Sequence, residues 1–326
     1  MNQALPDNST GRRIVNIAVM LALVGLSAAI FANAMGKPLG RDEQMYCTAG
    51  VLVSQGKAIY RDFSYAAQLP CHPLICAAIY RISGTNHYLL AGRLLSAACD
   101  IGVMLCIFSV FGRLFEGFAT SGALLGLAGA VLYVFNPAVD YANGYAWNHD
   151  VVMLCVALSF RLFVGMNMDA PRRHARLAAI GALVTFASCM RITTVMAELA
   201  FLCVLLLCAG GSWKQRYKAA LPFLAASGIV LVWPGWVVAR APRAFYLNLV
   251  KIPVLYGRWL REKGMVHDKL ELSLMQLREP GYFALLSLAA CLVAAVVLLR
   301  RRLKVSDGSG FLLAGLLLSL IHISEP

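Results

Sequence analysis

Apolar positions along the chain fall in long runs, most of them near the ~20 residues that cross a hydrocarbon core. They lie at 14–35, 90–111, 119–135, 150–166, 177–190, 192–209, 219–239 and 282–299, and a last run spans 310–322. Only Arg191 separates the fifth and sixth runs. This pattern predicts an all-α, polytopic integral membrane protein with about 8–9 transmembrane helices. The runs form a single transmembrane domain over residues 1–326.

The polar segments between the runs divide by charge. Short basic clusters sit at Arg12–Arg13, Arg113, Arg172–Arg173–Arg176, Lys214–Arg216–Lys218 and Arg300–Arg301–Arg302–Lys304. All fall on one side if 177–209 is two short helices turning near Arg191. The positive-inside rule makes that side cytoplasmic, with the N-terminus. Segments 36–89, 136–149 and 240–281 then face outward. The first is long, and its Met45, Tyr46, Ala49, Leu52 and Val53 carry the three-to-four spacing of an amphipathic surface helix. The apolar stretch 73–82 is too short to span and suits an interfacial helix. In the third run, Gly122, Gly126 and Gly129 offer a close helix-packing face. Pro234 is expected to kink the seventh or to sit near its outer end.

Composition sharpens the class. Of 326 residues 60% are hydrophobic and 14% charged, with mean hydropathy +0.70; soluble domains carry about 25% charged residues. The formal charge of +13 reads as basic loops orienting spans, not as a nucleic-acid surface. Most of the ten cysteines lie inside apolar runs, Cys189 among them. Cys47, Cys71 and Cys76 lie in the first outward segment, where one disulfide stays open without support from spacing. Run 14–35 is too long for a signal-peptide core of about 7–15 residues and reads as an uncleaved span. The "NST" at residues 8–10 falls on the cytoplasmic side, which rules it out as a glycan acceptor.

Acids near a membrane are costly and invite a functional reading. Asp42, Glu43, Asp62, Asp100, Asp140 and Asp150 lie outward or at span ends. Each has a bland alternative. Asp42 and Asp150 can cap helices, Asp62 can pair with Arg61, and Asp100 can face neighbouring helices. His72, His87 and His149 are also outward, but zinc-ligand spacing is absent. No metal ligand is assigned, and a divalent cation stays open.

Several motifs in order resemble a known family. "RDEQMYCTAGVLVSQGKAIYRDF", "PLICAAIYRISG", "AGRLLSAACDIGVMLCIFSVFGRLF", "NHDVVMLCVALSFRLFV" and "GALVTFASCMRITTVMAELAFLCVLLL" together resemble the GT-C membrane glycosyltransferases. The likeness is to the protein O-mannosyltransferase and aminoarabinose transferase group, over roughly residues 10–210. It implies transfer of a sugar from a polyprenyl-phosphate donor to a lipid, glycan or protein acceptor, at the outer face of the plasma (inner) membrane. By the matched motif Asp42 is the general base, Glu43 its neighbour and substitute, and Asp150 a second acid orienting acceptor or base. The departing phosphate wants cations, and arginine forks suit its oxygens. Arg240, Arg243, Arg258 and Arg261 on the third outward segment, with Arg191, are candidates, and anionic headgroups are the other reading of that basic loop. Asp62, His72 and His149 complete the expected substrate-binding set.

Two departures limit the likeness. Aminoarabinose transferases carry a Glu-Lys-Pro-Pro-like run where this chain reads Gln68-Leu69-Pro70-Cys71-His72-Pro73. The missing Glu and Lys put a metal ligand and a charged partner in doubt and argue against that sugar. The chain also ends inside a ninth run at "SLIHISEP", which reads as a C-terminal truncation closed by foreign sequence. A transporter or flippase is the competing class. It usually shows paired repeats with mid-membrane acids, and no internal repeat is visible here. A non-catalytic scaffold is the third.

Overall fold

The computed structural model describes residues 9–40, 42–115, 119–164, 166, 172–208 and 212–265. The runs expected at 282–299 and 310–322, and the basic cluster 300–304, lie outside the described residues. Among the described residues every element is helical, and the one bridge pairs Ile59 with Phe63. The helices are α1 (Ser9–Gly36), α2 (Glu43–Ser54), α3 (Cys71–Ser83), α4 (Tyr88–Leu114), α5 (Ala119–Val134), α6 (Pro137–Ala142), α7 (His149–Phe163), α8 (Arg173–Ser188), α9 (Val195–Cys208), α10 (Trp213–Arg240), α11 (Pro242–Tyr246) and α12 (Ile252–Glu262). The protein is an all-α polytopic membrane protein. Among the described helices α1, α4 and α10 have the length and hydropathy to cross a membrane, and α5 and α9 are shorter apolar helices.

Two apolar clusters hold the bundle. In α1 the buried Val19, Leu23, Leu26, Ile30 and Ala34 recur every three or four residues and meet α4 and α5. Ile14, Met20, Leu21 and Val24 on the other face are exposed, as lipid-facing residues should be. Gly126 lets α5 lie against α4, since a Cβ there would stand 2.9 Å from the Phe108 carbonyl oxygen. The second cluster joins Phe163 of α7, Leu177, Ile180 and Val184 of α8, Phe201 of α9 and Phe223 of α10. At Gly181 a Cβ would strike the Phe223 backbone. The stretch 177–208 is two helices, parted by Cys189–Arg191 and a 3-10 turn at Ile192–Thr194.

Ends are set locally. Ser212 and Gln215 form a capping box at the start of α10. Gly84, at φ 59°, closes α3 in the left-handed conformation. Pro222 and Pro234 both lie inside α10. Helices do form where the sequence led one to expect them, α2 after Asp42 and α3 over 73–82. A short π turn (Leu247–Lys251) joins α11 to α12.

Candidate active site at the loop end of the bundle

The segments 42–83, 136–149, 189–194 and 242–251 come from distant parts of the sequence and meet at one end of the bundle. Four polar nodes tie them together.

The first node is Glu43. Its side chain is fully buried and forms a two-pronged ion pair with Arg93 of α4, at 2.9 Å to Nε and 2.8 Å to Nη2. Backbone N–H groups of Gly40 (2.8 Å) and Ala146 (2.7 Å) also donate to it. Burial opposes its ionisation, but the Arg93 fork and the two N–H groups outweigh that and hold its carboxyl below the usual range. Arg93 donates in addition to the carbonyls of Ala34, Lys37 and Pro38, at and just beyond the C-terminus of α1, where helix carbonyls lack partners. One salt bridge therefore joins α1, α2, α4 and the 143–148 turn.

The second node is Gln68. Its side-chain oxygen accepts from the Tyr46 hydroxyl (2.7 Å) and from Asn148 Nδ2 (3.3 Å), and its backbone oxygen accepts from the Tyr60 hydroxyl (2.6 Å). Asn148 also donates to the Met190 carbonyl (3.0 Å). Burial pushes the Tyr46 hydroxyl well above its ordinary range, and the nearby Asp42 charge adds to the shift. Tyr46 therefore stays a neutral donor.

The third node is Asn248, in the π turn. Its side-chain oxygen accepts from Ser64 Oγ (2.6 Å) and Tyr65 N (3.0 Å), its backbone oxygen accepts from Ala67 N (3.0 Å), and Phe245 meets Tyr60 edge-on. The 242–251 segment is thus docked on residues 60–67. These contacts also hold two strained residues, Tyr60 (φ 66°) and Ala67 (φ 58°), each costing about 1–3 kcal/mol.

The fourth node lies deeper. Asp100 accepts from Tyr133 Oη (2.8 Å) and Asn143 Nδ2 (2.5 Å). Fully buried Asp150 accepts from Gly144 N at 3.3 Å through one oxygen, and its other oxygen has no hydrogen-bond partner among the described residues.

Against this frame the predicted site residues separate. Asp42 stands at the N-cap position of α2, is exposed, and makes no side-chain capping bond. One turn before Tyr46, its carboxylate is open to an incoming group. His149 contacts Arg191 Nη1 at 2.7 Å through Nδ1, and its ring lies 4.7 Å from that of Trp147. Arg191 acts electrostatically on Tyr46, so Asp42, Tyr46, His149 and Arg191 share one locality. Trp147 Nε1, Thr193 Oγ1 and Thr194 Oγ1, next to these residues in sequence, are buried donors without partners among the described residues.

The other predicted residues lie elsewhere. Glu43 and Asp150 are fully buried, unlike the exposed Asp42. His72 is buried, edge-on to Tyr46 at 5.1 Å and 3.8 Å from Cys76 Sγ, and burial lowers it to about 4, so it is neutral near pH 7. Asp62 is exposed, paired with Arg61 at 2.8 Å and bonded to Ala58 N, and both contacts lower its carboxyl. Arg240 lies over the Trp236 ring at 4.7 Å, and Arg240, Arg243, Arg258 and Arg261 are all exposed. Among the described residues no three His, Cys, Asp or Glu side chains gather as metal ligands.

Gln68, marked in the sequence only as a departure from the family pattern, and Arg93, Asn148 and Asn248 were not among the expected site residues. A signal existed for Arg93, since a lone arginine entering an apolar run needs a partner. The other three are amides, whose roles depend on distant contacts.

No family model and no curated protein matches the chain. Solved structures do. The chain superposes on ArnT from Cupriavidus metallidurans bound to undecaprenyl phosphate with a TM-score of 0.55, at 16% identity, over 94% of this chain and 59% of that one. Against the apo state of the same protein the TM-score is 0.52 at 17% identity, over 97% of this chain and 60% of that one. The chain thus spans about three-fifths of the length of the ArnT chains it matches. The fold is the one the GT-C resemblance implied.

Proposed function

We propose that this chain is part of a membrane glycosyltransferase that takes a sugar from a polyprenyl-phosphate carrier, with Asp42 as general base. The observation that carries the reading is the pairing of an ArnT-like fold, one of whose structures holds undecaprenyl phosphate, with an uncommitted carboxylate at the head of α2.

In this reading the acceptor hydroxyl approaches Asp42, which takes its proton as the oxygen attacks the anomeric carbon. The bond from that carbon to the phosphate oxygen breaks, and the electron pair leaves with the phosphate. A dianionic leaving group needs no proton but is stabilised by nearby positive charge. Arg191, held against His149, supplies it. Glu43 and Asp150 are positioning residues: Glu43 fixes the start of α2 through Arg93, and Asp150 holds the 143–148 turn through Gly144. The exposed arginines 240, 243, 258 and 261 draw the anionic donor toward the loop end. The acceptor is a lipid, glycan or protein at the outer face of the plasma membrane.

The test is Asp42→Asn in the full-length protein, in membranes, with a panel of polyprenyl-phosphate sugars read by product chromatography. Transfer should fall about 10²–10⁴-fold, the usual contribution of a positioned base, while expression is unchanged. Near-normal transfer would overturn the role of Asp42. Sugar counterflow that ignores the substitution would instead favour a transporter.

A further inference from the structure

Ten cysteines are scattered along the chain, and one pair is brought together from opposite sides of the loop end. Cys71 is the first residue of α3, and Cys189 caps the C-terminus of α8. The Cys71 backbone N–H donates to the Cys189 carbonyl at 3.3 Å. Both are free, buried thiols packed in the same cluster with Val151, Val152 and Met190, and each acts on the ionisation of the other. Their backbone hydrogen bond holds the two backbones side by side, the close approach that a disulfide needs, with Cα atoms ~4.4–6.8 Å apart. Neither cysteine bonds to any catalytic candidate. The pair does stand close in sequence to the Gln68 node and to Arg191, since Gln68 lies three residues before Cys71 and Arg191 two after Cys189.

We propose that Cys71 and Cys189 form a native disulfide that staples the first outward segment to the turn carrying Arg191. The proposal rests on the outward placement of the loop end, because structural disulfides persist in oxidising compartments. The oxidant is a protein or small-molecule disulfide of that compartment. One cysteine thiolate attacks it and displaces a thiol, giving a mixed disulfide. The second cysteine then displaces the other thiol, so two protons and two electrons pass to the oxidant. The bond encloses more than a hundred residues, α4, α5 and α7 among them. It restrains the same junction that Asn148 bridges when it bonds Gln68 and the Met190 carbonyl.

The test uses the whole chain in membranes quenched with acid and blocked with N-ethylmaleimide before digestion and mass spectrometry. The expected result is a linked peptide pair containing Cys71 and Cys189. It should vanish in Cys71→Ser and in Cys189→Ser and persist in Cys76→Ser. Reduction should lower the thermal midpoint of the parent protein by several degrees and leave that of Cys71→Ser unmoved. Recovery of both cysteines in alkylated form from native membranes overturns the proposal. Treating the purified protein with oxidised dithiothreitol then separates the causes. A cross-link formed only there means that the geometry is right and the outward placement is wrong. No cross-link even there means that the geometry itself is at fault.

Discussion

The bundle and its loop end are held by different forces. Between α1, α4 and α5, and between α8 and α10, contact is mainly apolar and close, permitted by glycines such as Gly126 and Gly181. Lipid supplies no hydrophobic drive between helices, so this close packing is what joins them. At the loop end the same helices are tied by polar groups that are mostly buried and mutually satisfied: Glu43 with Arg93, Gln68 with Tyr46 and Asn148, Asn248 with Ser64 and Tyr65. Buried polar networks specify one arrangement, because every member left without its partner is costly. Asp42 is the contrast within the contrast, an exposed acid beside a fully committed one. The loops are fixed rigidly, and Asp42 is left exposed at the head of α2.

The sharpest way to break this arrangement is to remove one side of the deepest pair. Glu43→Ala leaves Arg93 buried without its counter-ion, which should cost about 3–5 kcal/mol. Asp42→Asn, one residue away, should leave folding untouched. Thermal unfolding of both variants in detergent checks this; equal stability would mean that the Glu43–Arg93 pair does not hold the loops.

A pH titration probes the same region. His72 is buried beside Tyr46 and has a folded value of about 4 against an ordinary 6.5. The unfolded chain therefore binds the extra proton between those values. The contribution of His72 is fully present above pH 6.5 and is lost as pH falls toward 4, by roughly 3 kcal/mol in all. His72→Phe should flatten this part of the stability profile. An unchanged slope in that variant would place the acid sensitivity elsewhere.

The bundle was legible in the sequence and the tethers were not. Runs of apolar residues announce helices whatever their neighbours do, so α1, α4, α5, α9 and α10, and the break at Arg191, could be read directly. The surface helix after Asp42 followed from its three-to-four spacing. Partner choice, by contrast, leaves no local trace. Glu43 finds Arg93 at a separation of 50 residues, and Ser64 finds Asn248 at 184. Adjacency made Asp42 and Glu43 look interchangeable, yet a 100° step around α2 sends one to solvent and the other into a clamp. Cys189 read as a small hydrophobe within an apolar run; the chain reversal that follows it is what brings it to Cys71.

Gln68→Leu should act more gently than the Glu43 change. It strips one acceptor from the Tyr46 hydroxyl and from Asn148 while keeping the side-chain volume, for about 1–3 kcal/mol. If it lowers transfer further than that loss of fold explains, with kcat falling and KM steady, then Gln68 also sets the position of Tyr46 beside Asp42. A loss of stability alone would confine it to holding the loops.

The smallest effect should come from the basic helix that packs least. Arg258 and Arg261 of α12 are exposed, and α12 has no buried residue. Replacing both with Ala should shift stability by no more than about 0.5 kcal/mol. Their contribution to drawing in an anionic donor is long-range, so it should appear in KM rather than kcat, at roughly 1 kcal/mol per charge. It should also shrink as salt shortens the reach of the field. A KM change that survives high salt would mean direct contact with the phosphate and would move these arginines from the periphery to the site. Arg191→Ala supplies the reference: partly buried against His149, it should lower kcat at every ionic strength. The two salt responses together divide the positive charge of the loop end into the part that attracts and the part that reacts.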